Sequence, residues 1–110
     1  VFVYEVDGHI AGYATYGKFR PHVAYQYTIE NSVYVHENFQ RRGIAKQLML
    51  RLIEEARAAH YKTMIACIDA SNGGSKLMHE KLGFIHSGTL TNVGFKFEKW
   101  LDLDIYQLNL

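Results

Sequence analysis

A basic loop that joins an apolar strand to an amphipathic helix constrains this chain more than any other segment. Residues 32–49 read SVYVHENFQRRGIAKQLM, with one glycine between the arginines and the helical run. Backbone N–H groups at a helix start have no partner within the helix and carry the positive end of its dipole. Gly43 lets this backbone approach a ligand closely, and Arg41 and Arg42 add positive charge. The pattern predicts a phosphate cradle, and the alternative is a solvated basic turn.

Hydrophobic patterns predict the remaining elements. Residues 1–6 and 9–17 form a predicted β-hairpin around Asp7-Gly8, and residues 27–36 alternate as a third strand. Apolar residues recur with helical spacing over 43–60. The rest of the chain is predicted as a strand over 62–69, a helix over 73–82 that Gly83 ends, and strands over 84–88 and 96–109.

The order β-β-β-α-β-α-β-β predicts a single α/β domain over residues 1–110, with a mixed sheet and helices packed on it. A cofactor is expected at the carboxyl ends of the central strands, beside the glycine loop. Because the chain begins at once as a strand and without methionine, we expect further residues before Val1.

The composition argues against several classes of function. A net charge of +1 gives no reason to expect a nucleic acid or an anionic membrane as partner. The six histidines are scattered and there is one cysteine, so a structural metal site is not expected. Cys67 lies in an apolar run and is predicted to be a buried, inert thiol. A lone cysteine also suggests a reducing compartment, which here means the cytoplasm.

Four side chains outside the loop could carry chemistry, and each also has a purely structural interpretation. Glu30 is either a general base with a raised pKa or a solvated glutamate at a strand end. Asn72 hydrogen-bonds a ligand or caps the second helix, and both hold together if Ser71 is the cap. His79 delivers a proton or is a half-buried polar residue. Arg20 clamps a carboxylate or phosphinate, or is an ordinary surface arginine.

Two segments together resemble the signatures of the GCN5-related N-acetyltransferases. Residues 40–45, QRRGIA, are similar to the acetyl-CoA pyrophosphate loop of that superfamily, Q/R-x-x-G-x-G/A, with Ala45 at the last position. Asn72 and a helix that ends in Gly83-Phe84 are similar to its second signature. The resemblance implies that acetyl-CoA is the co-substrate and that no metal takes part.

Other segments resemble the phosphinothricin N-acetyltransferase branch of this superfamily. Residues 27–35, YTIENSVYV, are similar to a T-V-E-x-S-V-Y-V segment of that branch. The segments 19–21 and 93–103 and the histidine at position 79 also match it. The resemblance implies a mostly antiparallel mixed sheet with splayed central strands and flanking helices. In this branch one further strand and two helices precede the segment that matches Val1.

The resemblance also implies roles for individual residues. Backbone groups of Val33, Tyr34 and Val35 would pair with the pantetheine arm, and a backbone N–H near Val35 would polarise the thioester carbonyl. Glu30 would take a proton from the substrate ammonium through a water, and His79 would protonate the leaving thiolate. The remaining cofactor contacts would come from Arg41, Arg42, Gly43, Ile44, Ala45, Lys46 and Asn72.

The implied acceptor is a small amine: phosphinothricin, methionine sulfoximine or methionine sulfone, in a pocket that includes Arg20 and Tyr25. Other acceptors, namely peptide N-termini or polyamines, remain open, as does an inactive domain that only binds acetyl-CoA. A fragment that folds only with its preceding part is a further alternative. Homodimers are common in the branch, so the aromatic side chains of Phe95, Phe97 and Trp100 either contact a partner chain or lie in the core.

Overall fold

The computed structural model describes residues 1–40 and 42–110, and within them the chain forms a six-stranded sheet with two α-helices. Short 3-10 turns lie at Val23–Tyr25 and Glu37–Phe39. The main elements follow the predicted order: β1 Phe2–Val6, β2 His9–Lys18, β3 Thr28–Val35, α1 Ile44–Ala58, β4 Thr63–Asp69, α2 Gly73–Lys81, β5 Ile85–Lys96 and β6 Lys99–Asn109.

The sheet is mixed but mostly antiparallel, with the strand order β1-β2-β3-β4-β6-β5. The parallel pair is β3 with β4, and it is short: Thr28–Glu30 pair with Thr63–Ile65. Beyond Glu30 and Ile65, β3 continues beside β2 and β4 continues beside β6. The two central strands therefore part in a V whose closed end is the Glu30–Ile65 pair. This confirms the predicted mixed sheet with splayed central strands.

Both helices pack on one face of this sheet. The buried side of α1 has the helical spacing that the sequence predicts, and it consists of Ile44, Leu48, Met49, Leu52, Ile53 and Ala56. The amide of Asn31 lies 3.7 Å from the sulfur atoms of both Met49 and Met64, where α1 meets the central strands. Near-complete burial of these apolar side chains supplies the main drive for this layer to pack on the sheet.

Two predicted turns depend on left-handed backbone, and the structure has both. Asp7 and Gly8 have φ angles of 50° and 81°, which give the tight turn between β1 and β2. Gly83 has a φ of 100° directly after α2, as predicted for the residue that ends this helix. No helix of the described residues is long and apolar enough to cross a membrane.

The last hairpin is longer than predicted. The sequence predicts a strand that stops at residue 88, whereas β5 continues to Lys96 and pairs with β6 along its length. Its small and polar residues resemble a loop, but pairing with β6 outweighs their weak strand propensity. Register shifts at His86/Gly88 and at Leu90/Gly94 accommodate the extra residues. The turn itself uses Phe97 and Glu98, both at positive φ, so β6 begins at Lys99.

Candidate functional site

A cleft of about 650 Å³ opens where β3 and β4 separate. Its walls come from the end of β3, the basic loop, the first turn of α1 and the start of α2. The residues that line it are Val33, Tyr34, Val35, Phe39, Gln40, Gly43, Ile44, Ala45, Lys46, Asn72, Gly74, Ser75 and Met78. Eight of these residues are predicted cofactor contacts. Arg42 is exposed and stacks over the ring of Phe39, 5.3 Å from its centroid, while Arg41 lies outside the described residues.

The start of α1 forms one end of the cleft. Gly43 precedes the helix with a φ of 74°, and its carbonyl oxygen accepts the helical hydrogen bond from the Gln47 N–H at 3.1 Å. Among the described residues, no side chain caps this helix. The first N–H groups of the helix therefore have no helical partner, and Ile44, Ala45 and Lys46 line the cleft there. This arrangement suits an anion such as a phosphate.

The free edge of β3 forms a second wall. The His36 N–H donates to the Ala11 carbonyl oxygen on the β2 side, at 2.6 Å. Because backbone groups alternate in direction along a strand, the N–H and C=O groups of Val33 and Val35 face the cleft instead. The side chain of Gln40 already contacts this edge, since Nε2 donates to the Val35 carbonyl oxygen at 3.4 Å. An extended ligand could pair with this edge as an added strand.

Asn72 caps α2 and also lines the cleft. Its Oδ1 accepts from the Ser75 N–H at 3.1 Å, which identifies Asn72 rather than Ser71 as the cap. Ser71 instead donates its hydroxyl and its N–H to Asp69. The cap occupies the oxygen of the Asn72 amide, and its Nδ2 group is the part that could donate to a ligand.

Glu30 lies at the closed end of the V, half-buried, between Gly17 on β2 and Ile65 on β4. Cys67 is two residues beyond Ile65, so its side chain is on the same face as that of Glu30. Burial raises the pKa of the Cys67 thiol, and the charge of Glu30 and a hydrogen bond to its carboxylate raise it further. Arg20 acts in the opposite direction. The pairing of Glu30 with Ile65 thus places Glu30 and Cys67 on the same face of the sheet, and the charge of Arg20 acts on the same thiol.

Cys67 is thus half-buried beside a predicted base, rather than fully buried as the sequence suggested. Its raised pKa keeps it a thiol at neutral pH, in agreement with the prediction that it is not a nucleophile. The apolar run around it gave no sign of this position, because the contact depends on how β4 pairs with β3.

His79 is among the most buried side chains of the protein, at 1% exposure. Its Nδ1 lies 2.8 Å from the Ser75 carbonyl oxygen, which can only accept, so the ring proton is at Nδ1. Nε2 then accepts from the amide of Asn31, at 3.4 Å. Burial lowers the pKa of His79, which favours the neutral ring. Ser75 and Met78 line the cleft and His79 lies behind them. Asn31 is not among the site residues that the sequence predicts.

Arg20 and Tyr25, the predicted acceptor contacts, lie in the loop after β2. Arg20 donates from Nη1 to the Phe19 carbonyl oxygen at 2.9 Å, and its guanidinium lies 4.3 Å from the centroid of the Phe19 ring. It also lines a separate cavity of about 380 Å³ with Lys18 and His22. Tyr25 packs edge-on against the Phe19 ring and is not among the described residues that line this cavity. Among the described residues, no cluster of His, Cys, Asp and Glu could hold a metal ion.

The known proteins that this chain is similar to are acetyltransferases. Residues 1–84 match the profile of the Acetyltransferase (GNAT) family. An L-methionine sulfoximine/L-methionine sulfone acetyltransferase from Salmonella typhimurium is 42% identical over the whole chain, which covers 64% of that protein. The crystal structure of an N-acetyltransferase from Staphylococcus aureus Mu50 is 55% identical with a TM-score of 0.96, covering 97% of this chain and 65% of that one.

A further similar structure contains a ligand. The phosphinothricin acetyltransferase from Sinorhizobium meliloti in complex with AcCoA is 33% identical with a TM-score of 0.92. The match covers 96% of this chain and 57% of that one. The chain therefore spans less than two thirds of the length of these proteins.

Proposed function

Because the chain belongs to the GNAT acetyltransferase family, we propose that it transfers the acetyl group of acetyl-CoA to the amino group of a small amino-acid-like substrate. The observation that carries this proposal is the V between β3 and β4. Its open end combines a helix start that no described side chain caps with the cleft-facing edge of β3, and Glu30 lies at its closed end.

The cleft suits acetyl-CoA in both shape and chemistry. The N–H groups at the start of α1, with Arg41 and Arg42 close by in the chain, would hold the pyrophosphate. The cleft-facing groups of Val33 and Val35 would pair with the amides of the pantetheine arm, and Asn72 would donate to it from Nδ2. The Sinorhizobium protein named above was solved with AcCoA, which supports this assignment.

Glu30 is the proposed general base. Its carboxylate would take a proton from the substrate ammonium through a water, and the free amine would then attack the thioester carbonyl and displace the CoA thiolate. Val33 is three residues, roughly 10 Å, from Glu30 along an extended strand, whereas Val35 is five residues, roughly 17 Å, away. We therefore assign the N–H that polarises the thioester carbonyl to Val33 rather than to Val35.

The proton-donor role of His79 stays a prediction. Burial lowers the pKa of His79 and favours the neutral ring, in which the Nδ1 proton is donated to the Ser75 carbonyl oxygen and Nε2 accepts from Asn31. A ring in this state holds Asn31 and α2 in position but has no proton to give at Nε2. Protonation of the thiolate by solvent is the simpler route for a product that leaves through an open cleft.

The proposed acceptor has an oxidised, tetrahedral side chain, as in methionine sulfoximine, methionine sulfone or phosphinothricin. The Salmonella protein carries the first two compounds in its name and the Sinorhizobium protein the third. The positive charge of Arg20 acts on the Cys67 thiol, which shares a face of the sheet with Glu30, and its guanidinium would bind an oxo group or a carboxylate of the acceptor. Tyr25 would support the Arg20 loop through its contact with Phe19, although it does not line the cavity beside Arg20.

The test is release of free thiol from acetyl-CoA with a panel of amines: phosphinothricin, methionine sulfone, methionine sulfoximine, a short peptide and spermidine. We expect turnover on the oxidised amino acids. Turnover confined to the peptide or to spermidine would retain the acetyltransferase and overturn the acceptor assignment. Binding of acetyl-CoA without turnover on any of them would indicate a domain that has lost catalysis.

We also propose that the protein forms homodimers in the cytoplasm. Phe95, Phe97 and Trp100 are 61%, 85% and 66% exposed, so these side chains are not core residues of this chain. They form an aromatic patch at the end of the β5–β6 hairpin, in which the rings of Phe95 and Trp100 are 4.9 Å apart. A second copy that presents the same patch would remove both from water. The lone Cys67 favours a reducing compartment.

A further inference from the structure

A buried carboxylate on β6 ties α2 to the sheet. Asp104 is 6% exposed, although charged residues are rarely so buried unless they are paired. Its Oδ2 contacts Nζ of Lys76 on α2 at 3.1 Å. Its Oδ1 accepts from Thr89 Oγ1 at 2.5 Å and from His86 Nε2 at 3.0 Å, both on β5. The carboxylate thus has donors from two different elements.

Lys76 links this carboxylate to the loop between β4 and α2. Besides its contact with Asp104, its Nζ donates to the Ala70 carbonyl oxygen at 2.9 Å. The Ala70 N–H donates in turn to the Asp102 carbonyl oxygen at 3.0 Å. Ala70 is two residues before Asn72, which lines the cleft. One ammonium group therefore fixes the loop, the helix and β6 relative to one another.

These contacts lie in the stretch of β4 that no longer pairs with β3. Ile68 on β4 pairs with Asp104 on β6, three residues beyond the Ile65 pair that closes the V. In this stretch β4 is supported by β6 on one side, while the cleft is on the other. Asp104 and Lys76 are not among the described residues that line the cleft, so any effect on a ligand must pass through the wall that they support.

We propose that Lys76 and Asp104 are positioning residues that preform the α2 wall of the acetyl-CoA cleft. The proposal rests on the proposed function, since it assumes that this cleft binds acetyl-CoA. The Lys76–Asp104 contact holds Ala70, and with it the Asn72 cap, in the place that the pantetheine arm requires. Without the contact, the cost of ordering this loop would reduce the binding free energy of acetyl-CoA.

The test measures the affinity of the protein for CoA by calorimetry and, with the acceptor that the amine panel identifies, KM and kcat. Lys76→Met removes the charge and keeps much of the apolar stem. We expect CoA to bind about tenfold more weakly, in the range for residues that act without touching a ligand. The KM for acetyl-CoA should rise accordingly, while kcat and the KM for the amine stay within about twofold of wild type. Lys76→Arg should restore most of the affinity.

Two control variants separate positioning from general stability. Thr89→Val removes another donor of Asp104 but leaves Lys76 in place, so it should lower the thermal midpoint without weakening CoA binding. Lys81→Met removes a lysine from the far end of α2 and should change neither the thermal midpoint nor the affinity for CoA. Equal CoA affinity for wild type and Lys76→Met would overturn the inference alone, as would an equal loss in Thr89→Val. If the wild-type protein does not bind CoA, the proposed function falls, and this inference with it.

Discussion

Glu30 and its partner Ile65 lie at the boundary between the paired and the separated stretch of the two central strands. Glu30 is the last residue of β3 to pair with β4, and it is half-buried there. The carboxylate of Glu30 therefore lies where β3 still pairs with both β2 and β4, next to the point at which the cleft opens. This is the physical reason to assign the proton-accepting role to Glu30 rather than to another glutamate of the chain.

Replacing Glu30 with Gln keeps the shape of the side chain and removes its ability to accept a proton. We expect kcat to fall by on the order of 10²-fold or more, the range for loss of a general base, with CoA affinity nearly unchanged. Steady-state thiol release and calorimetry measure these quantities. Glu37→Gln, in the 3-10 turn after β3, is the matched control. An unchanged kcat in Glu30→Gln would exclude this residue as the base.

His79→Gln tests whether the buried ring donates a proton or holds its neighbours. Because burial favours the neutral ring and Nδ1 donates to the Ser75 carbonyl oxygen, we expect kcat to fall less than tenfold, well below the range of about 10² to 10⁴ for an acid. A fall within that range, with loss of the upper limb of the pH–rate profile, would instead establish His79 as the donor that the sequence predicted.

The buried state of His79 also makes the stability of the protein depend on pH. Burial lowers its pKa, so the unfolded chain takes up this proton more readily than the folded one. The free energy of unfolding should therefore decrease as pH falls through about 6.5, the value for an unperturbed histidine. Urea titrations between pH 5 and 7.5 should show a weaker dependence in His79→Gln than in wild type.

At the scale of single elements, the helix start at Gly43 depends on its backbone conformation. A φ of 74° is strained for any residue with a Cβ, even though open space surrounds this position. We expect Gly43→Ala to lower the free energy of unfolding by about 1–2 kcal/mol and to weaken CoA binding. Gly73, the first residue of α2, is also in open space but has no positive φ. We therefore expect Gly73→Ala to leave both the free energy of unfolding and CoA binding unchanged. Denaturant titration and calorimetry compare the two.

The contacts of Asp104 on β6 with Lys76, His86 and Thr89 make the free energy of unfolding depend on pH in the acid range. Hydrogen bonds from Thr89, His86 and Lys76 lower the pKa of Asp104 to about 2. A carboxyl with a lowered pKa contributes stability above its unfolded pKa of about 4, and this contribution is lost as pH falls towards 2. Asp104→Asn should flatten the pH dependence of unfolding in this window. Asp7→Asn, in the exposed β1–β2 turn, should keep the wild-type slope.

Elements whose signal is local could be predicted from the sequence. The α1 stripe and the alternation of β3 follow from periodicity within one segment, and Gly83 ends α2 through its own backbone. The pattern could not show that β5 extends to Lys96, because its small and polar residues become a strand only through pairing with β6. The neighbours of Glu30 were missed for the same reason.

At the scale of the whole molecule, the exposed aromatic patch at the hairpin end tests the proposed dimer. Trp100→Lys places a charge among Phe95, Phe97 and its copy in the partner, so we expect it to yield monomers. Leu50→Lys changes an apolar side chain of similar exposure on α1 and should leave the dimer intact. Light scattering after size-exclusion chromatography gives both masses. A monomeric wild-type protein would overturn the dimer proposal.

The short ladder between β3 and β4 divides the sheet into two halves, each with its own helix. β1, β2 and β3 lie with α1 on one side of this ladder, and β4, β6 and β5 with α2 on the other, while three residue pairs join β3 to β4. A ligand that pairs with Val33 and Val35 and also contacts Asn72 would bridge the halves where the protein itself does not. The co-substrate would then serve as a temporary seventh strand. After product release, the two halves of the sheet would separate more easily than in the complex.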